Sequence, residues 1–144
     1  AGGARPVDAT PAPEIKPPAP VAVTLGFIWP HPGEIIQGYK AGVNKGIDLA
    51  AKVGDPVMAS QAGRVVYSGN ALRGYGNLII LKHDNNLLTA YAHNKTLLVK
   101  EGEPVTKGQK IAEAGQSDSD RPKLHFEVRK QGKPVDPMDY LPAR

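Results

Sequence analysis

Asn77-Leu78-Ile79-Ile80-Leu81-Lys82-His83, Asp84-Asn85-Asn86 and Leu87-Leu88-Thr89-Ala90-Tyr91-Ala92-His93 form the stretch that decides the fold class. Two apolar runs flank a polar turn of three residues, which predicts a β-hairpin. The same reading extends on both sides. Arg64-Val65-Val66-Tyr67-Ser68 lies between Gly63 and Gly69 and predicts a further strand. Leu124-His125-Phe126-Glu127-Val128-Arg129 alternates with the strand period, so Leu124, Phe126 and Val128 share one face and His125, Glu127 and Arg129 the other. No window of a dozen residues carries a helical stripe; at most a turn follows Pro137. The expected fold is all-β.

The chain also contains an internal echo. Lys52-Val53-Gly54-Asp55-Pro56-Val57 and Lys100-Glu101-Gly102-Glu103-Pro104-Val105 share a Gly-acid-Pro-Val core, and each precedes another glycine and a β-rich stretch. Two similar corners in one sandwich or barrel are expected. Lipoyl and biotinyl carrier domains use comparable corners, but no lysine here sits in a hairpin tip of the Met-Lys-Met or Asp-Lys-Ala kind.

Residues 1–24 have a different composition. Pro6, Pro11, Pro13, Pro17, Pro18 and Pro20 alternate with Ala and Val, the pattern of an extended, semi-rigid spacer. The expected organisation is a Pro/Ala-rich linker over 1–24 and one domain over 25–144. The opening Ala1-Gly2-Gly3-Ala4-Arg5 contains no hydrophobic run, so any signal or lipid anchor is expected outside this sequence. With 144 residues, 40% of them hydrophobic, one core of ordinary size is affordable. The chain has no cysteine, which excludes disulfides and thiolate metal sites. No apolar run approaches the roughly 20 residues of a membrane-spanning helix. The net charge of +4 is spread over scattered Lys and Arg, with no basic block and no nucleic-acid-binding motif.

Metal chemistry rests on four histidines, His31, His83, His93 and His125. No two lie two to four residues apart, so no local ligand pair exists. With Asp48 as a carboxylate donor, His93 and His125 on sheet strands are the candidates for convergence on one surface. His31, between two prolines, is expected in an exposed loop, and His83 as a surface histidine beside a turn.

A family resemblance sharpens this reading. Trp29-Pro30, Gly46-Ile47-Asp48, Ala62-Gly63-Arg64-Val65-Val66-Tyr67, Gly74-Tyr75-Gly76-Asn77, Tyr91-Ala92-His93, Leu124-His125-Phe126-Glu127-Val128 and Pro134-Val135-Asp136-Pro137 are its landmarks. Through them, residues 27–142 resemble the LytM (lysostaphin-like) zinc endopeptidases, which implies an antiparallel β-sheet sandwich with Gly-rich hairpins. In active members the resemblance implies zinc held by a histidine, an aspartate and the second histidine of His-x-His. Two further histidines, one in Tyr-x-His and the first of His-x-His, assist the chemistry. Position by position, Asp48 and His125 match two ligands and His93 one catalytic histidine, while Asn44 and Lys123 replace the other two histidines. A carboxamide is a poor zinc donor, and an ammonium has no lone pair. The expectation is a vestigial site with no metal, no cofactor and no peptidase turnover.

Degenerate members of this family resemble the amidase activators of Gram-negative cell division, the NlpD and EnvC type. The run from Gly69 to Ile80, with Ala90-Tyr91-Ala92-His93-Asn94, is similar to the NlpD type in particular. That resemblance implies a non-catalytic activator of a periplasmic N-acetylmuramoyl-L-alanine amidase of the AmiC type, acting in septal peptidoglycan splitting. It also implies tethering to the outer membrane, with peptidoglycan as a second partner and no nucleic acid. Lys45, Arg73, Tyr75, Tyr91 and Lys123 are the expected partner-binding groove, charges and aromatics being common anchors. A passive peptidoglycan-binding module and an active zinc endopeptidase that recruits His31 or His83 stand as alternatives.

Overall fold

The computed structural model describes residues 26–144, whose regular structure is almost entirely β-strand. The expected linker over 1–24 lies outside the described residues. Ten strands follow in chain order: β1 (Ile35–Gln37), β2 (Ile47–Ala50), β3 (Pro56–Met58), β4 (Gly63–Gly69), β5 (Asn77–Lys82), β6 (Leu87–Leu97), β7 (Pro104–Val105), β8 (Lys110–Ala114), β9 (Lys123–Lys130) and β10 (Lys133–Val135). Among the described residues the helical content is a single 3-10 turn at Pro137–Asp139, where Asp136 accepts from the Met138 N–H and caps it.

All pairings are antiparallel, and the main sheet runs β1-β2-β9-β6-β5-β4-β7. The long strand β6 joins two layers. Its first part pairs with β5 and β9, and Asn94, Thr96 and Leu97 then pair with β8, which in turn pairs with β3. The expected sandwich is thus built from one sheet that bends within β6. His93 sits at the bend with φ +68°, a left-handed conformation uncommon for a residue with a side chain.

Alternation along the strands separates two faces. Ile47, Leu49, Leu124, Phe126, Val128, Tyr91, Ile79, Leu81 and Val65 enter one core with Val57, Ile111 and Ala112 of the β3–β8 layer. Directly cross-strand on the outer face stand Asp48, His125 and Ala92, then Glu127 and Ala90, then Arg129 and Leu88. The sequence period therefore decides which residues form the site.

The turn chemistry is equally local. The echoed corners have the same geometry: the N–H of Lys52 and of Lys100 donates to the acid three residues on, and that acid's N–H donates back to the lysine carbonyl. Gly54 and Gly102 sit at φ +96° and +91°, where a β-carbon is disfavoured. A third corner, Thr106-Lys107-Gly108-Gln109, repeats the pattern with Gln109 in place of the acid. In the hairpin after β5, Asn85 and Asn86 take the positive φ values, 63° and 60°, that Asn tolerates best among residues with side chains.

Three histidine and tyrosine expectations are corrected here. His31 is not an exposed loop residue; it is buried, hydrogen-bonded through Nε2 to Asp55 Oδ2 at 2.8 Å and accepting from the Gly33 N–H through Nδ1. His83 is also buried. Its Nδ1 donates to the Ala62 carbonyl and its Nε2 accepts from Thr89, which accepts from Tyr91, whose oxygen takes the Ser60 N–H. The side chains of His83, Thr89 and Tyr91 are thus all partnered, as burial of such groups requires, while the Ser60 hydroxyl is left without a partner. Burial pushes the His83 imidazole down, in keeping with the neutral tautomer the run needs. Tyr91 is accordingly a core residue with no exposed surface.

Gly46 fixes the distance between β2 and β9. A β-carbon there would overlap the Phe126 carbonyl oxygen and press on the Glu127 side chain. Gly46→Ala is expected to lower unfolding free energy by about 1–3 kcal/mol, read as a drop in urea midpoint at unchanged slope.

Candidate functional site

The site lies on the outer face of β2 and β9, in a cleft of about 380 Å³. Loops close its rim. The Lys40–Asn44 turn borders one side; Asn44 is held there by backbone bonds with Lys40, and its Nδ2 donates to the Gly38 carbonyl at 3.0 Å. The loop carrying Gly74 and Tyr75 borders the other, tied down by the Gly74 N–H to Asp118 and the Tyr75 carbonyl to the His93 N–H.

At the floor, His125 stands between two carboxylates. Its Nδ1 donates to Asp48 Oδ1 at 2.5 Å and its Nε2 to Glu127 Oε2 at 2.8 Å. Both ring nitrogens donate, so the imidazole is a cation. Burial opposes that charge, but the hydrogen bonds and charges of Asp48 and Glu127 prevail and raise its pKa to about 9. The carboxylates respond in kind. Burial pushes Glu127 up, yet His125 and Arg129 bring it to about 2. Asp48 is likewise raised by burial but held below its ordinary value by His125 and Lys123.

The chain of charge extends both ways. Lys123 Nζ donates to Asp48 Oδ2 at 3.2 Å. Arg129 donates to Glu127 Oε1 through Nε at 2.8 Å and NH2 at 2.7 Å. Tyr75 closes the far end, donating to Glu127 Oε2 at 2.9 Å and accepting from Arg129 at 3.1 Å. Lys123, Asp48, His125, Glu127 and Arg129 thus alternate in sign. His93 stands apart from this chain: its Nδ1 donates to the Ser117 carbonyl at 2.8 Å, and burial pushes its pKa down. Its ring centroid is 6.0 Å from that of His125.

The structure brings Asn44, Asp48, His93, Lys123 and His125 into one cleft, and Lys45 and Tyr75 line it too. Arg73 is exposed beside Gly74 at its edge. Tyr91 is the exception among the expected groove residues, since its ring is sealed in the core behind the sheet. Sequence reasoning did not single out Glu127 and Arg129 as part of the site. The strand alternation that placed them on His125's face was the available signal.

The domain model for peptidase family M23 matches residues 42–137, and the chain belongs to that family. It is 53% identical over 118 residues to the murein hydrolase activator NlpD of Escherichia coli, covering 81% of this chain and 31% of that protein. It is equally 53% identical over 121 residues to the lipoprotein NlpD/LppB homolog of Pseudomonas aeruginosa, covering 83% of this chain and 41% of that one. The chain therefore spans less than half the length of these curated relatives. Among solved structures, a zinc-containing peptidase from Vibrio cholerae superposes with a TM-score of 0.74 at 31% identity, over 78% of this chain and 39% of that one.

A zinc ion does not fit the residues at this chain's equivalent positions. Asn44 offers only a carboxamide oxygen, a poor zinc donor, the Lys123 ammonium occupies an oxygen of Asp48, and His125 is held through both ring nitrogens between carboxylates. Among the described residues no group of three or more His, Asp or Glu is arranged to hold a metal ion. After incubation with excess zinc and desalting, the protein is expected to retain far less than one zinc per chain by atomic absorption; a stoichiometric ion would contradict the geometry.

The ion chain also sets a pH dependence. Glu127 is lowered from 4.5, so its contribution is present above about pH 4.5 and is lost as pH falls toward 2. His125 is raised from 6.5, so its contribution is complete below about pH 6.5 and is lost as pH rises through 9. The urea midpoint is expected to be highest between about pH 4.5 and 6.5. The alkaline fall should flatten in His125→Gln; an unchanged alkaline limb in that variant would remove His125 as its cause.

Proposed function

We propose that this domain is a non-catalytic activator of a periplasmic cell-wall amidase, an N-acetylmuramoyl-L-alanine amidase of the AmiC type, promoting septal peptidoglycan splitting and daughter-cell separation. The observation that carries the reading is the chain of alternating, mutually paired charges at the floor of an open cleft. A site whose ligand positions are tied to one another has lost its means of activating water, but its walls remain available to a partner segment. Relatives of this chain are named murein hydrolase activators, and others lipoproteins, which supports a tethered protein acting on the cell wall through another enzyme. In this reading the full-length protein sits in the periplasm of a Gram-negative bacterium, anchored to the inner leaflet of the outer membrane. Activation then consists of preferential binding to an open state of the amidase.

The decisive experiment is dye release from labelled sacculi by the domain, by a purified amidase, and by both together. Release from the mixture alone supports the activator. Release by the domain alone would establish peptidase activity instead. Sacculus binding without stimulation would favour a passive wall-binding module. At the cleft edge, Arg73→Glu is expected to weaken stimulation several-fold with an unchanged melting temperature, because rim charges govern encounter rather than folding. Lys123→Gln should weaken it as well, and avoids setting a new carboxylate against Asp48. Full stimulation by both variants would place the contact elsewhere.

A further inference from the structure

The cleft over Asp48 and His125 does not end at Tyr75. Tyr75 and Glu127 are also walls of a second, less open cavity of about 310 Å³, whose other sides are Leu72, Leu78, Ile80 and Leu88. Leu88 and Gly132 then lead into a third depression of about 510 Å³ that reaches Val66 and Lys82. The three share walls, so they form one trough across the outer face from β2, over β9, β6 and β5, to β4. Four strand spacings of about 4.8 Å make its floor roughly 19 Å long.

Its chemistry changes along that length. The β2–β9 end is charged. The middle is apolar: Leu78 and Ala90 form a small cluster apart from the main core, flanked by Tyr67, Tyr75 and Ile80. Above it Leu72 is 44% exposed, and at the far end Val66 is 42% exposed. Along this apolar stretch Lys82 is an exposed cation of the wall and Arg73 is exposed beside Leu72 at the mouth, where Asp118 holds the Gly74 N–H, while the carboxylate in the wall, Glu127, is buried against His125 and Arg129. An apolar socket with Lys82 in its wall and Arg73 at its mouth is complementary to an apolar side chain that has a carboxylate close by.

We infer that the apolar middle of this trough is the anchoring subsite for the partner: an acidic amphipathic segment of the amidase seats a Leu- or Phe-sized side chain against Leu72, Ile80 and Leu88, above the buried Leu78. This rests on the activator reading and adds to it where the binding affinity resides. The charged end aligns the segment, and the socket retains it. A trough of this length accommodates about a dozen helical residues at ~1.5 Å each.

The test uses the protein with purified amidase, measuring both binding by calorimetry and stimulated dye release. Leu72→Asp changes an exposed turn residue, places a carboxylate at the socket mouth, and should leave the melting temperature unchanged. It is expected to weaken binding at least tenfold, whereas Leu98→Asp, at an exposed apolar residue just after β6 and outside the trough, should not. Ile80→Ala, which cuts back one wall of the socket without adding a charge, should weaken binding less. If wild type stimulates and Leu72→Asp stimulates equally, the socket is not the subsite although the activator reading stands. If wild type neither binds nor stimulates, the activator reading falls and this inference with it.

Discussion

The His125 imidazolium between Asp48 and Glu127 is the interaction on which the site depends. Glu127 is 1% exposed. A carboxylate so placed is costly unless its charge and its lone pairs are matched. His125 satisfies one oxygen and Arg129 the other, while Tyr75 shares the first. Each partner is in turn fixed by this duty. Arg129 lies along the sheet face instead of extending into solvent, and Tyr75 is turned down onto the strand at the point where the charged cleft meets the apolar socket. The geometry of the trough therefore follows from charge pairing beneath it.

Much of this was legible in the sequence, because strand period and turn chemistry are local. The alternation of Leu124 to Arg129 put His125, Glu127 and Arg129 on one face, as found. The Gly-acid-Pro-Val echo marked two corners whose hydrogen bonds prove to be the same. Asn44 and Asp48, His93, and Lys123 and His125 meet in one cleft from three places in the chain.

What the sequence concealed depends on long-range partners. His31 is buried because Asp55, 24 residues on, reaches it, and His83 because Ala62 and Thr89 take up its two nitrogens. Neither fact has a local signature. Tyr91 followed the same logic. Its strand neighbours Ala90 and Ala92 face outward, so its own ring must point inward, yet a tyrosine beside a motif histidine reads equally well as an anchor. The joining of Tyr75 to Glu127 spans 52 residues and is settled only when the loop closes over the sheet.

Asn44 and Lys123 together set the charge balance of this floor. In an M23 site of full ligand complement, the carboxylate and imidazoles would face a dication. With Lys123 at one motif position, Asp48 gains an ammonium, and with Asn44 at the other, the opposite wall turns neutral and bonds to the backbone. His125 can then carry its own proton. Three cations and two carboxylates remain along the floor, leaving one positive charge in excess instead of a deficit that demands a metal. Either replacement alone would fall short. Asn44 without Lys123 would leave Asp48 with His125 as its sole cationic partner, and Lys123 without Asn44 would place an ammonium beside a histidine still positioned to bind metal. The pair converts an electrophilic centre into a rigid, weakly basic floor. That positive excess is what the proposed acidic segment would meet at this end of the cleft.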